Sequence, residues 1–359
     1  MTRSKISWII IIVLAIALKI FSLFPDLVEQ YYSNGIYRVT SAVQRFLFGR
    51  IPFSVGDVLY FLAGIYLLYK LIRMIVAIRK RKTGKTYWLQ TLRSFVFVAL
   101  TVYVLFNLLW GLNYNRLGVA HQLGLVKQKV FKEDLTPLMH ELTVKLNKLY
   151  IDTKRQRDSL SSWAYLSDGA IASFKETSPS FPFFGYPAPS VKPSLFRAIG
   201  NYMGYTGYYN PFTGEAQVNT TVPLFIQPFT ICHEIGHQLG YAKENEANFA
   251  GYLSAKSSTD PLFRYSVYFE LYSYSRPYMY LQDSIALGKL DSQLQPGVKQ
   301  DFRALRDFYR SHENPMEKVI DRLYGQFLRA NEQPAGKLSY SQVIIWLIAY
   351  YKKYGKDAL

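Results

Sequence analysis

Two apolar runs, ISWIIIIVLAIALKIFSLF (6–24) and SFVFVALTVYVLFNLLWGL (94–112), constrain this chain more than any other feature. Each is nineteen residues long; the second carries no charge, and the first has only Lys19, close enough to one end to snorkel to a membrane surface. A third, less clean run is centred on VLYFLAGIYLLY within 51–78, bounded by Asp57 and by Lys70 with Arg73. About 20 apolar residues in a helix match the hydrocarbon thickness of a bilayer. The expectation is three transmembrane helices, at about 6–24, 51–78 and 94–112, forming a membrane anchor over 1–112 that has the lipid bilayer as its partner. A cleaved signal peptide is disfavoured for the first run, because FPDLVEQ follows it in place of a small-residue cleavage site.

Charge gives the anchor a direction. The chain is +17 overall, and residues 1–112 contribute +11 of that. Arg3 and Lys5 precede the first run, and RKRKTGK (79–85) with Arg93 lies between the second and third. Basic segments beside spans stay in the cytoplasm. Residues 113–359 are therefore expected outside it, which makes this a multi-pass protein of a bacterial inner membrane with a periplasmic or otherwise extracytoplasmic domain. Arg38, Arg45 and Arg50 run against that pattern. The RKRK tetrad sits where topology needs it and no recognition module accompanies it, so no nucleic-acid partner is expected. Cys232 is the single cysteine, which excludes an intrachain disulfide framework and any C-x-x-C knuckle.

Past the apolar runs the pattern becomes mixed. Residues 133–157 have the spacing of an amphipathic helix, TSPSFPFFGYPAPSVKP (177–193) reads as loop, and GEAQVN (214–219) alternates like a short strand. That strand is a candidate edge for pairing with an extended peptide. Helices are expected at 228–239, 244–256, 262–288, 299–330 and 339–354. In the last, VIIWLIAYY is too short to span a bilayer and reads as a packed helix.

The chemistry concentrates in TICHEIGHQLGYAKENEANFAG (230–251), where His233, Glu234 and His237 match H-E-x-x-H. Pro228 in the first turn and Gly240 just past the end suit a helix over 228–239. His233 and His237 then stand one turn apart on one face, with Cys232, Ile235, Gly236 and Leu239 facing the core. A catalytic zinc needs a third protein ligand and an open position. Glu244, in the first turn of the next helix, is the leading candidate, and Glu246, about 200° away round that helix, is the alternative. Asn248, one turn after Glu244, is suited to hold the outer ring nitrogen of a ligating histidine.

HEIGH followed by E-x-x-A-N (Glu244, Ala247, Asn248) resembles the gluzincin metallopeptidases, although their Glu usually follows the motif at a longer interval. GLNYNR (111–116), GYYNPFTGEAQVN (207–219), PFTICHEIGHQLGYAKENEANF (228–249) and SYSQVIIWLIAYY (339–351) together resemble an uncharacterised family of bacterial membrane proteins catalogued only as a domain of unknown function. The resemblance implies a mainly α protein: three N-terminal transmembrane helices, then a zincin-like, mostly helical α+β domain over 113–359 with a small sheet. It also implies Zn2+ held by His233, His237 and Glu244, which would activate a water, with Glu234 as general base. Tyr340 and His312 are candidate donors to the oxyanion. The expected function is a membrane-anchored zinc metallopeptidase acting on peptides or proteins outside the cytoplasm. A peptidoglycan peptidase or amidase acting on cell-wall peptide is one alternative; a catalytically silent zincin-like sensor or scaffold is another.

Overall fold

A computed structural model describes residues 3–359. Helix α1 (Arg3–Phe21) is followed by a short turn and a π-helical stretch, Val28–Ile36, then by α2 (Tyr37–Gly49), α3 (Val55–Arg79) and α4 (Lys85–Leu109). Two of these, α3 and α4, are long and apolar enough to cross a membrane, where three were expected. The first expected span, 6–24, stops early: past Phe21 the chain turns through 102° into residues 25–49. The amides of Leu23 and Phe24 bond three residues back, and the Ser22 hydroxyl donates to the Lys19 carbonyl, which tightens the last turn. Pro25 then opens a new helix, a first-turn position where its missing N–H costs nothing. Hydropathy counts apolar side chains and is blind to that change of direction. Helix α1 lies along α4, with the Trp8 and Phe97 rings 5.2 Å apart.

The remaining elements are α5 (Lys132–Thr153), α6 (Trp163–Thr177), β1 (Val191–Pro193), α7 (Arg197–Met203), β2 (Gly207–Asn210), β3 (Glu215–Val218), α8 (Gln227–Gln238) and α9 (Glu244–Ser257). They are followed by α10 (Pro261–Gln282), α11 (Ser284–Gln293), α12 (Pro296–Ser311), α13 (Glu317–Ala330) and α14 (Val343–Tyr354). Two long expected helices are each a pair. The chain breaks at Asp283, whose carboxylate caps α11 by accepting from the Ala286 amide, and again at Asn314–Pro315 before α13. Helix α14 is packed as expected: Val343, Ile344, Leu347 and Ile348 are buried.

The sheet is small, in the order β1–β3–β2, with β1 parallel and β2 antiparallel to β3. Strand β3 is where 214–219 was expected to be extended, but it is the central strand, so it has no free edge to offer a peptide. All four of its residues are buried. Glu215 explains part of that. Its carboxylate accepts from the Val55 and Gly56 amides at the start of α3 (3.1 and 2.6 Å), from Thr213 Oγ1, and from Lys192 Nζ on β1. A carboxylate at a helix N-terminus meets unpaired N–H groups and the positive end of the dipole. The strand is thereby fastened to a membrane-length helix. Buried Asp57, in the first turn of α3, adds a second tie by accepting from Tyr208 Oη and the Leu195 amide.

Candidate metal centre

Helix α8 carries the motif, and every one of its residues is buried. Its end is set by Gly240, at φ +87°, a conformation that costs glycine least. The Tyr241 amide reaches back to the Gly236 carbonyl (3.1 Å) and the Gly240 amide to the His237 carbonyl (3.0 Å), closing a Schellman turn. That turn brings the Tyr241 carbonyl 2.8 Å from His237 Nδ1. On the core side, Gly236 and Gly251 let α8 and α9 approach: a Cβ on Gly236 would sit 3.1 Å from the Ala247 carbonyl, and one on Gly251 3.1 Å from the His233 amide. Gln238 bolts the helix to the sheet, donating to the Ser190 and Gly214 carbonyls at 2.7 Å each. Cys232 is buried among apolar neighbours, its thiol pushed up to about 12 by desolvation.

Helix α9 supplies the acid. Glu244 Oε2 lies 3.3 Å from His233 Nε2 and 3.4 Å from His237 Nε2, and it has no hydrogen-bond donor. Its other oxygen accepts from Tyr324 Oη on α13 at 2.9 Å, and Tyr324 in turn meets Tyr340 Oη at 2.9 Å. Among the described residues, His233, His237 and Glu244 bring their ligand atoms within 4.8 Å of one another. Glu246 points elsewhere, accepting from the Val119 amide at 2.6 Å. Asn248 Oδ1 is 2.7 Å from His233 Nδ1, while its amide nitrogen donates to the Tyr340 carbonyl at 3.0 Å.

This bonding fixes the tautomers. An amide oxygen and a backbone carbonyl can only accept, so both Nδ1 atoms carry the hydrogen. Both Nε2 lone pairs then face the unpaired carboxylate oxygen. With neutral imidazoles three acceptors converge in a buried space, an arrangement that a bound cation, or a proton held by an imidazole against Glu244, would satisfy. A charge-assisted hydrogen bond would draw the atoms to roughly 2.7–2.9 Å. A tetrahedral ion with bonds of about 2.0–2.1 Å sets its ligands roughly 3.3–3.4 Å apart, which is the spacing seen here. The donor set of two imidazoles and a carboxylate fits zinc. In the absence of an ion, burial would raise Glu244, but the two facing imidazoles, when protonated, hold it well below the usual carboxylate range, so it stays a carboxylate either way. Burial would lower His237, and Glu244 outweighs that to leave it raised.

Glu234 projects from α8 beside the cluster. Burial pushes its carboxyl up to about 7, the two imidazoles offsetting part of the rise, and its Oε2 has no hydrogen-bond partner. The backbone of Gly207, at the start of β2, lies against it: a Cβ there would be 2.6 Å from Glu234 Oε1. The two candidate oxyanion donors separate. Tyr340 stacks near the His233 ring, centroids 6.1 Å apart, and lines the cavity above the cluster. His312 bonds to Phe308 and Asn201 and packs on Tyr202, none of them in the cluster.

Several contributors were not foreseen. Tyr324 comes from α13, eighty residues beyond Glu244. Trp110, where α4 ends, donates from Nε1 to the His237 carbonyl at 3.1 Å, its ring 5.9 Å from the imidazole. Tyr37 Oη donates to the Gln238 carbonyl at 2.9 Å. The membrane-proximal end of the chain thus touches the motif helix directly. Spacing within the motif carries no trace of these partners; the aromatic character of NLLWGLNY (107–114) was the available hint.

The model of the family described as "Protein of unknown function (DUF3810)" matches residues 32–348, and the chain belongs to that family. No curated protein and no solved structure matches it.

Proposed function

We propose that this member of the DUF3810 family is a membrane-anchored zinc hydrolase that cleaves amide bonds of peptides at the outer face of a bacterial inner membrane. The observation that carries the reading is the convergence of two imidazoles and an unpaired carboxylate oxygen within 4.8 Å of one another, with the carboxylate at tetrahedral spacing from each ring nitrogen. His233, His237 and Glu244 would hold the ion, and zinc bound there supplies an activated water and a polarised carbonyl. Glu234, whose Oε2 is unpaired, would be the base that takes a proton from the attacking water and passes it to the leaving nitrogen. Asn248 and the Tyr241 carbonyl keep both imidazoles in the ligating tautomer. Tyr324 fixes the carboxylate of Glu244, and Tyr340 is the hydroxyl beside the cavity suited to meet developing charge on the substrate oxygen.

The orientation has support of the same kind. The basic loop 79–85 joins the ends of α3 and α4 that are remote from the motif, while their other ends are fastened to the sheet and to His237. Arg45, which spoke against this direction, is spent inside the fold, donating to the Pro187, Ala188 and Gln238 carbonyls. Helix α1, alongside α4, keeps its basic N-terminus on the side of the basic loop.

The test is paired. The purified full-length chain should hold stoichiometric zinc, and Glu234→Gln should keep the metal while peptide hydrolysis falls by about 10²–10⁴. Loss of zinc in His233→Ala, His237→Ala and Glu244→Ala, but not in Glu246→Ala, is expected. A wild-type protein that refuses zinc defeats the reading, and one that holds zinc yet cuts nothing leaves a scaffold.

A further inference from the structure

A cavity of about 1010 Å³ runs from His233 and Glu234 to Tyr60 on α3. Tyr60 lies five residues beyond Val55, about 8 Å along the helix axis, on one of the two helices apolar enough to cross a membrane. The cavity that adjoins the candidate metal centre therefore also adjoins the bilayer side of the molecule. Its walls are mainly rings and aliphatic chains, with Asn248, Ser273 and Glu270 among the polar exceptions, and two of its charged residues, Lys337 and Asp321, pair at 2.5 Å. The rim is apolar as well: Ile199, Leu323 and Phe327 are 57, 61 and 43 % exposed. These rim residues lie on α7 and α13 and line the same cavity as Tyr60, so the apolar surface is continuous from α3 to the cluster. Helix α13 has Val319, Leu323 and Phe327 on one face and Lys318, Arg322 and Arg329 elsewhere round it, the pattern of a helix lying in a lipid–water interface.

We propose that the substrate carries a hydrocarbon chain, and that this cavity receives the chain from the bilayer while the adjoining amide lies at Glu234. The inference rests on the hydrolase reading above and names its substrate class: an acylated peptide. A transmembrane helix is the poorer fit. Asn314 Nδ2 donates to the Tyr202 carbonyl at 2.8 Å and Asn201 meets His312 at 3.4 Å, tying α7 to the segment before α13, the two helices that carry the rim. Rim helices held together in this way admit one flexible chain more readily than a helix 10–12 Å across. Moving a hydrocarbon chain from lipid into an apolar cavity exchanges one apolar environment for another, so entry needs no passage through water.

The experiment uses the full-length Glu234→Gln chain, zinc-loaded, in phospholipid nanodiscs. The probe is an N-palmitoyl tetrapeptide with a diazirine at the end of the acyl chain; after irradiation the adducts are mapped by mass spectrometry. Labels on Tyr60, α7 and α13, competed by unlabelled palmitoyl peptide, are expected. Leu305→Trp, which fills part of the cavity, should cut this labelling about tenfold or more, as an added group in a fitted pocket does, with zinc content unchanged. Labels confined to the outer faces of α3 and α4 would overturn the proposal. So would equal cavity labelling by an unacylated tetrapeptide that carries the diazirine on a side chain, or by a diazirine peptide carried on a transmembrane helix. Because the assay needs no turnover, failed labelling on a zinc-replete chain rejects the acyl substrate alone, whereas a chain without zinc rejects the hydrolase reading.

Discussion

Asn248 offers the sharpest single-residue discrimination, because it touches a proposed ligand and would not touch the ion. Asn248→Ala removes the acceptor on His233 Nδ1, and zinc affinity should fall by about 10–100-fold while the fold persists; chelator competition measures it, and unchanged affinity would remove Asn248 from the site. Glu270 makes a prediction about pH. It lines the cavity, and burial raises its carboxyl to about 7. A folded-state value above the unfolded one means the native protein binds the proton more tightly. Stability should therefore be greatest below about pH 4.5 and decline as pH rises through about 7, so far as this group contributes. Glu270→Gln should flatten the fall in melting temperature between pH 5 and 8; an identical profile would show that Glu270 does not govern it. At this scale the sequence was generous about neighbours and silent about distant partners. The pair His233 and His237 and the nearby Glu244 follow from helical spacing, and Asn248 from the same arithmetic. Tyr324 and Gly207 come from elsewhere in the chain, and no local pattern marks their arrival.

Among the elements, β1, β3 and the start of α3 meet at one buried charge pair. Lys192 and Glu215 are buried at 4 and 0 % side-chain exposure, and Glu215 also caps α3. Breaking such a pair from one side leaves an uncompensated charge and costs about 3–5 kcal/mol. Lys192→Met should lower the unfolding midpoint accordingly, whereas a change under about 1 kcal/mol, the worth of an exposed pair, would mean water reaches it. The turn after α8 is the second test. Gly240→Ala forces a Cβ into positive φ and to 2.9 Å from the Tyr37 ring; zinc affinity should drop with stability, because the Tyr241 carbonyl that holds His237 moves too. Helix existence was readable from periodicity at 133–157 and from 228 onward, but not for α6 or α7, and the ends of α8 followed from Pro228 and Gly240. The position of β3 was not. Alternation announces a strand but says nothing about which neighbours will pair with it, and here β1 and β2, four residues or fewer, gave little pattern of their own.

For the whole molecule, the sequence suggested an anchor followed by a domain, and the packing makes the two interdependent. Tyr37, Trp110 and Tyr114 share an apolar cluster with Tyr209 and Ala242, and Glu29 pairs with Arg116 at 2.7 Å. A fragment beginning at residue 113 would lack Tyr37, Trp110 and Glu29, and we expect it to aggregate or to exchange its α8 amides rapidly; a monomeric fragment with protected α8 amides would refute this. Such long-range packing was illegible beforehand because an apolar run reads the same whether it faces lipid or protein. The fastening of α3 at Glu215 has one more consequence. A helix whose apolar length exceeds the surrounding hydrocarbon layer leans over to hide the excess. With its outer end pinned, that lean cannot be absorbed by a slack linker and becomes torque on the three strands, and so on the Gly207 backbone that presses Glu234. On the hydrolase reading, peptide cleavage in reconstituted vesicles should then vary with lipid chain length, and a rate indifferent to it would show that the junction does not transmit the lean.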